Sequence, residues 1–351
     1  MKKTMILMTA GLAMIGLASC TSDEPLSINQ GNAIDFRPAL NSRATETTNA
    51  NLNSINVTAF LGDNVLFGNT EFIKGSDNYF VSTPEYYWPT DDSQLDFYAY
   101  SPSQPGGTVT IDKDSKTMTD FTVASKLGDQ VDFITGNASG KRSTNEASGV
   151  ELTFNHRLSQ IEIQGKADNE AYTFEVSGIR IGEPIEEGSF DFSDATWTTG
   201  SSKAIYEETY DNAITLTSQA VSVMGEGGNA ILLPQQLTAW DVNGDASNTK
   251  AGAYLSVKLR VTTTETGTQV YPYPSDADCT WAAIPIDTKW EPGKKYVYTL
   301  DFSHGAGYVD PHDPQPGNPV LGGPIKFTVN VVDWNETDVP MDLTTSTSAN
   351  S

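Results

Sequence analysis

The sequence predicts an all-β protein made of antiparallel β-sandwiches. Three observations carry this: apolar residues alternate at period two through most of the chain, the alternating runs are short, and Gly, Pro, Asn, Asp and Ser separate them. Helical periods are scarce. In the first half Ile55, Val57 and Ala59 alternate with Asn56 and Thr58, Leu95, Phe97 and Ala99 with Asp96 and Tyr98, and Val150, Leu152 and Phe154 with Glu151 and Thr153. Each run puts its apolar groups on one face of a strand. In the second half the spacing returns at Tyr172, Phe174 and Val176, at Leu255 through Val261, and at Tyr296, Tyr298, Leu300 and Phe302. Ile325, Phe327, Val329 and Val331 form the last such strand. Many short strands with turns between them disfavour folds built on βαβ units.

Ahead of the strands, residues 1–19 read as a signal peptide: Lys2 and Lys3 lead an apolar stretch too short to span a bilayer, followed by small residues. Leu17-Ala18-Ser19-Cys20 reads as a lipobox, which makes Cys20 the acylated first residue of the mature chain and the lipid its anchor. The acidic pair in Thr21-Ser22-Asp23-Glu24 resembles the surface-export signal of some Gram-negative lipoproteins, which favours an exposed position on the outer membrane. Residues 20–50, rich in Ser, Thr, Asn and Ala, read as a tether, within which Ile34 and Phe36 flank Asp35 in a short alternating run. The strands then divide into groups of similar size, 51–157 and 158–336, with no linker between them and a polar tail at 337–351. Residues 303–324, dense in Pro and Gly, read as a surface loop before the final strand.

Composition narrows the function. With 45 acidic and 21 basic residues the formal charge is −24, and loss of the two leader lysines takes it to −26. No Lys/Arg stripe offers the counterion release that nucleic acid binding needs, so no nucleic acid partner is expected. Cys20 and Cys279 are the only cysteines, so an acylated Cys20 leaves no disulfide framework, and Cys279 reads as a buried small hydrophobe or inert thiol.

Nor does the sequence assemble a catalytic constellation. There are three histidines, His156, His304 and His312. His156 follows an alternating strand and is expected to hydrogen-bond in or beside the core. Asp310, His312 and Asp313 are too close in sequence for a closed metal site. Asp241-Val242-Asn243-Gly244-Asp245 resembles the start of a calcium loop, but its Gly comes four positions in and Gly252 stands where a bidentate Glu belongs, so an Asn-Gly turn fits better. The pairs Asp91-Asp92, Glu186-Glu187 and Glu207-Glu208 read as solvated charges, since neighbours on a strand face opposite ways. No enzyme, cofactor or metal site is expected.

Several segments together resemble the fimbrillin family, whose members build type V pili. They are Tyr87-Trp88-Pro89 followed by Leu95–Pro102; Asp132-Phe133-Ile134 ahead of Phe154-Asn155-His156-Arg157-Leu158-Ser159; Ile231–Gln235; Trp290-Glu291-Pro292-Gly293-Lys294-Lys295; and Val332-Asp333-Trp334. The resemblance runs from about the lipobox to the last strand. It implies two transthyretin-like β-sandwich domains in tandem, and a subunit that polymerises with other pilin subunits by strand exchange. A trypsin-like surface protease would cut after Arg43 in Asn41-Ser42-Arg43-Ala44-Thr45 and release the strand carrying Ile34 and Phe36. Arg37 is the alternative cut, disfavoured by Pro38 after it. Val339, Met341 and Leu343, at every second residue, would be the knobs of a donor strand, although Pro340 among them cannot donate a ladder hydrogen bond. The alternatives are a pilus anchor subunit, or a monomeric outer-membrane lipoprotein that binds glycan or host ligand through aromatics such as Tyr86, Tyr87, Trp197 or Trp281.

Overall fold

A computed structural model of the chain describes residues 28–40, 51–244, 251–272 and 279–334. Cys20, Arg43, Val339, Met341 and Leu343 lie outside the described residues, as does Asp245. The fold is nearly all β, as the alternation predicts. Among the described residues the helical pieces are Arg142–Asn145 and two 3-10 turns, Leu127–Asp129 and Gly225–Gly227.

Seven strands of the first half close into a barrel, which is a sheet whose two edges have been joined. In spatial order they are Ile134–Gly140, Val150–His156, Phe36–Leu40, Phe80–Ser82, Asn64–Lys74, Ser54–Leu61 and Leu95–Ser101. Alternation does what the sequence leads one to expect: Val150, Leu152, Phe154 and His156 are buried while Glu151, Thr153 and Asn155 are exposed. The inward side chains form one apolar cluster, with Phe36, Phe72, Phe97, Trp88, Leu95 and Phe154 at its centre.

The second half is sheet on sheet. One sheet runs Val221–Ser222, Ser159–Lys166, Lys294–Asp301, Lys326–Asp333; the other runs Lys203–Thr215, Tyr172–Ile185, Tyr254–Thr263, Thr280–Pro285, Tyr308–Val309. Their facing residues, among them Ile161, Val176, Val257, Tyr298 and Leu300, share a second, larger core. A smaller sheet joins chain segments far apart in sequence, pairing Thr108–Ile111 and Lys116–Thr122 with Glu187–Asp191 and Thr196–Thr199.

In the N-terminal stretch Ile28–Ala33 and Phe36–Leu40 are strands, and Ile34 and Phe36 enter the core. The Pro/Gly-rich stretch 303–324 is not a plain surface loop: Ala306, Asp310 and Val320 are buried, and Asp310 receives Arg180 at 2.9 Å and the Ser256 hydroxyl. Burial of that carboxylate is tolerable because an Arg and a hydroxyl meet it.

Candidate functional site

The site is built around the N-terminal strand. Phe36 has no exposed surface and Ile34 keeps about 1%. The Phe36 ring meets Phe72 edge-on at 4.8 Å and Phe97 at 5.1 Å, both with rings 84° apart. Such edge-to-face pairs add to what burial of the ring already contributes.

Main-chain support for this strand is lopsided. Phe36–Leu40 runs parallel to Val150–Phe154, with Phe36 beside Val150 and Leu40 beside Phe154. On its other side, among the described residues, only Phe36 pairs, with Phe80. Parallel pairing is slightly the weaker kind per residue, so the strand's grip depends largely on its buried side chains. Upstream, Ile28–Ala33 pairs with Tyr87–Pro89 and the Ile34 amide donates to the Tyr86 carbonyl at 2.7 Å. Phe36–Leu40 lies between Val150–His156 and Phe80–Ser82 in the barrel order, so its removal would leave a slot between them, beside Phe72 and Phe97.

Asp35 sits between the two strand pieces, half-buried, its carbonyl accepting the Val150 amide at 3.0 Å. Burial pushes its carboxyl above the usual range, and the like charge of Asp77 pushes it further, with Arg37 partly offsetting both. Gly149, at φ +71°, makes room for it: a Cβ there would stand 2.6 Å from the Asp35 Oδ1 and 3.0 Å from the Tyr79 ring. Arg37 is exposed but lies within the strand, so it is a poorer target for a protease than a residue beyond the strand's end.

Three of the motif segments converge elsewhere. His156, at the end of Val150–His156, is buried, bonds Asp132 through Nδ1 at 2.8 Å and stacks on Trp334 at 4.5 Å with the rings 11° apart. The Trp334 amide donates to the Gly293 carbonyl, and the Gly293 amide to that of Leu158, both at 2.9 Å. His156 thus has the structural role expected of it, and the convergence with Trp334 was hidden in the linear order.

The residues considered for chemistry are otherwise engaged. Asp91 accepts from Ser93, Asp92 from Ser143 and Glu187 from Ser202, while Glu207 pairs with Arg180. Asp313 accepts from Thr280, and the Asp241 carboxylate accepts the Asn243 amide in a turn. No group of three His, Cys, Asp or Glu residues among the described residues is placed to hold a metal ion. Cys279 is a half-buried free thiol. Among the aromatics, Trp197 packs on Phe121 and Phe190 and donates to the Arg157 carbonyl, Trp281 lies under the Arg180 guanidinium, and Tyr86 stacks on Phe67. Tyr87 stays half-exposed, its hydroxyl donating to Glu85.

The family model described as fimbrillin-like matches residues 42–334. Among solved structures, a fimbrial protein from Bacteroides vulgatus superposes with a TM-score of 0.59 at 17% identity, covering 87% of this chain and 100% of its own. A candidate cell adhesion protein from Bacteroides ovatus does so with a TM-score of 0.51, also at 17% identity, covering 88% and 100%. No curated protein matches the chain. At such identities the two structures speak for the fold.

Proposed function

Since the chain belongs to the fimbrillin-like family, we propose that it is a structural subunit, stalk or tip, of a cell-surface type V pilus that serves adhesion. It is exported as a lipoprotein acylated at Cys20 and held at the outer membrane until a trypsin-like protease cuts after Arg43. The cut frees residues 20–43, and a neighbouring subunit's tail, presenting Val339, Met341 and Leu343, takes the vacated place.

The observation that carries this reading is the Phe36–Leu40 strand. It is the N-terminal piece of a closed barrel, it puts Phe36 into the core just after Ile34 enters it, and among the described residues it is paired in full on one side only. Burial of knobs of this size stabilises by roughly 1.5 to 3 kcal/mol each. A donor with three of them, also at period two, would fill the same slot with comparable free energy.

Brief trypsin treatment of the mature protein, followed by intact-mass analysis and a denaturant-free gel, tests the proposal. A single cut after Arg43 with ladders that vanish on deleting residues 337–351 is the expected result. Scattered cleavage, or no cut near Arg43, overturns it.

A further inference from the structure

The buried His156–Trp334 pair has no part in the strand exchange described so far, yet it links its two ends. Val150–His156 is the wall on which Phe36–Leu40 lies, in register as far as Phe154 and Leu40. Two residues further on, His156 stacks on Trp334 at 4.5 Å, and Trp334 closes the last strand, Lys326–Asp333, immediately ahead of the C-terminal segment. The stack is therefore a direct contact between the wall of the slot and the root of the segment that would leave to fill another.

We propose that this stack couples the two. With Phe36–Leu40 seated, Val150–His156 is fixed and His156, steadied by Asp132, holds Trp334 and the end of the last strand. When the strand leaves, the wall keeps Ile134–Gly140 on one side and loses its partner on the other, the hold on Trp334 relaxes, and the root of the tail is freed. The inference rests on the strand-exchange reading and gives it an order of events: a subunit offers its tail only after its own slot is open.

Three features of the structure suit that role. Among the described residues Lys326–Asp333 is an edge strand, laddered along its length to Lys294–Asp301 and to no strand on its other side, and its Phe327 and Val331 are exposed, so that one ladder and its two ends restrain it. Its Trp334 end is held by the Gly293 carbonyl, by the Lys294–Asp333 ion pair and by His156. Finally, His156 Nε2 and Trp334 Nε1 are both buried with no hydrogen-bonding partner among the described residues. Water satisfies both atoms once the stack opens, so the closed state gives up two hydrogen bonds that the open state regains. A contact with that deficit stays shut only while its surroundings hold it, which is what a switch between two states requires.

Hydrogen exchange on the uncut mature protein tests the coupling without the protease. Phe36→Ala loosens the seated strand, and exchange in residues 326–334 should rise by about tenfold, in line with typical coupling between sites. His156→Leu should raise exchange there on its own and leave Phe36→Ala little to add, while His156→Phe, which keeps a stacked ring, should restore the wild-type response. By reciprocity, Trp334→Leu should speed exchange in residues 150–156. If Phe36→Ala speeds exchange in residues 80–82 and 150–156 but leaves 326–334 unchanged, the coupling is wrong even where trypsin-cut protein still forms ladders. Scattered cleavage or no cut near Arg43, with the exchange response intact, would instead remove the strand-exchange reading. If His156→Leu fails to fold, the Phe36→Ala arm alone decides.

Discussion

Phe36→Ala should destabilise the N-terminal barrel by roughly 3 to 5 kcal/mol, the range for removing a buried Phe from a core. The upper part of that range is expected here. Phe36 has no exposed surface, and its ring makes edge contacts with Phe72 at 4.8 Å and Phe97 at 5.1 Å, so both pairs are lost along with the buried area. The cavity would open between strands that pair through Phe36 itself, beside Val150 and Phe80. Fluorine NMR on fluorotryptophan-labelled protein reads the effect locally: Trp88 is the one tryptophan of this apolar cluster, and it faces Phe97 edge-on at 6.1 Å. In a urea titration the Trp88 line should reach its midpoint well before that of wild type, while the Trp290 line, in the second core, moves less. A loss below about 1 kcal/mol at Trp88, the size expected of a surface change, would refute the claim that the strand is held by this ring.

Three other outcomes follow from the geometry. Asp35→Asn should strengthen the barrel at neutral pH: burial and Asp77 raise the Asp35 carboxyl above its usual 3.8, so its ionised form opposes folding above the raised value. That penalty is relieved as pH falls through the raised value towards 3.8, so the difference in unfolding free energy between variant and wild type should shrink on acidification, and growth instead would show the sign to be wrong. Arg180→Met leaves the fully buried Asp310 carboxylate without its cation, at a cost of roughly 3 to 5 kcal/mol in thermal unfolding, whereas adding Asp310→Leu should recover most of the loss. Gly182→Ala would bring a Cβ to 2.1 Å from the Tyr254 ring and should cost roughly 1 to 3 kcal/mol by chemical denaturation; a neutral result would mean that the ring moves freely.

Much of this fold is legible in the sequence because period-two alternation and turn residues are local signals. The Val150–His156 strand is a clear instance, its four inward residues all buried. Ile34 and Phe36 were legible in the same way, as two apolar groups around one Asp. Their partner was not: alternation marks a strand's faces but carries no direction, so parallel pairing with Val150–Phe154 could not be read from it. The stretch 303–324 departs from its composition for a related reason. Pro and Gly density reports turns, while the burial of Asp310 depends on Arg180, 130 positions away in an ordinary-looking strand. His156 and Trp334 each stood in a recognisable segment, but 178 positions separate them, and only the packing of Val150–His156 beside the end of the last strand brings their rings together.

In the proposed assembly, the place held by residues 28–40 is the place where subunits join. The most direct test is to let trypsin-cut protein assemble in the presence of an excess of synthetic peptide covering residues 28–40. This peptide should abolish the ladders, because it refills the slot, and the same peptide carrying Phe36→Ala should not. Ladders that persist unchanged with both peptides would contradict it, since subunits would then be joining somewhere other than the slot that Phe36 occupies.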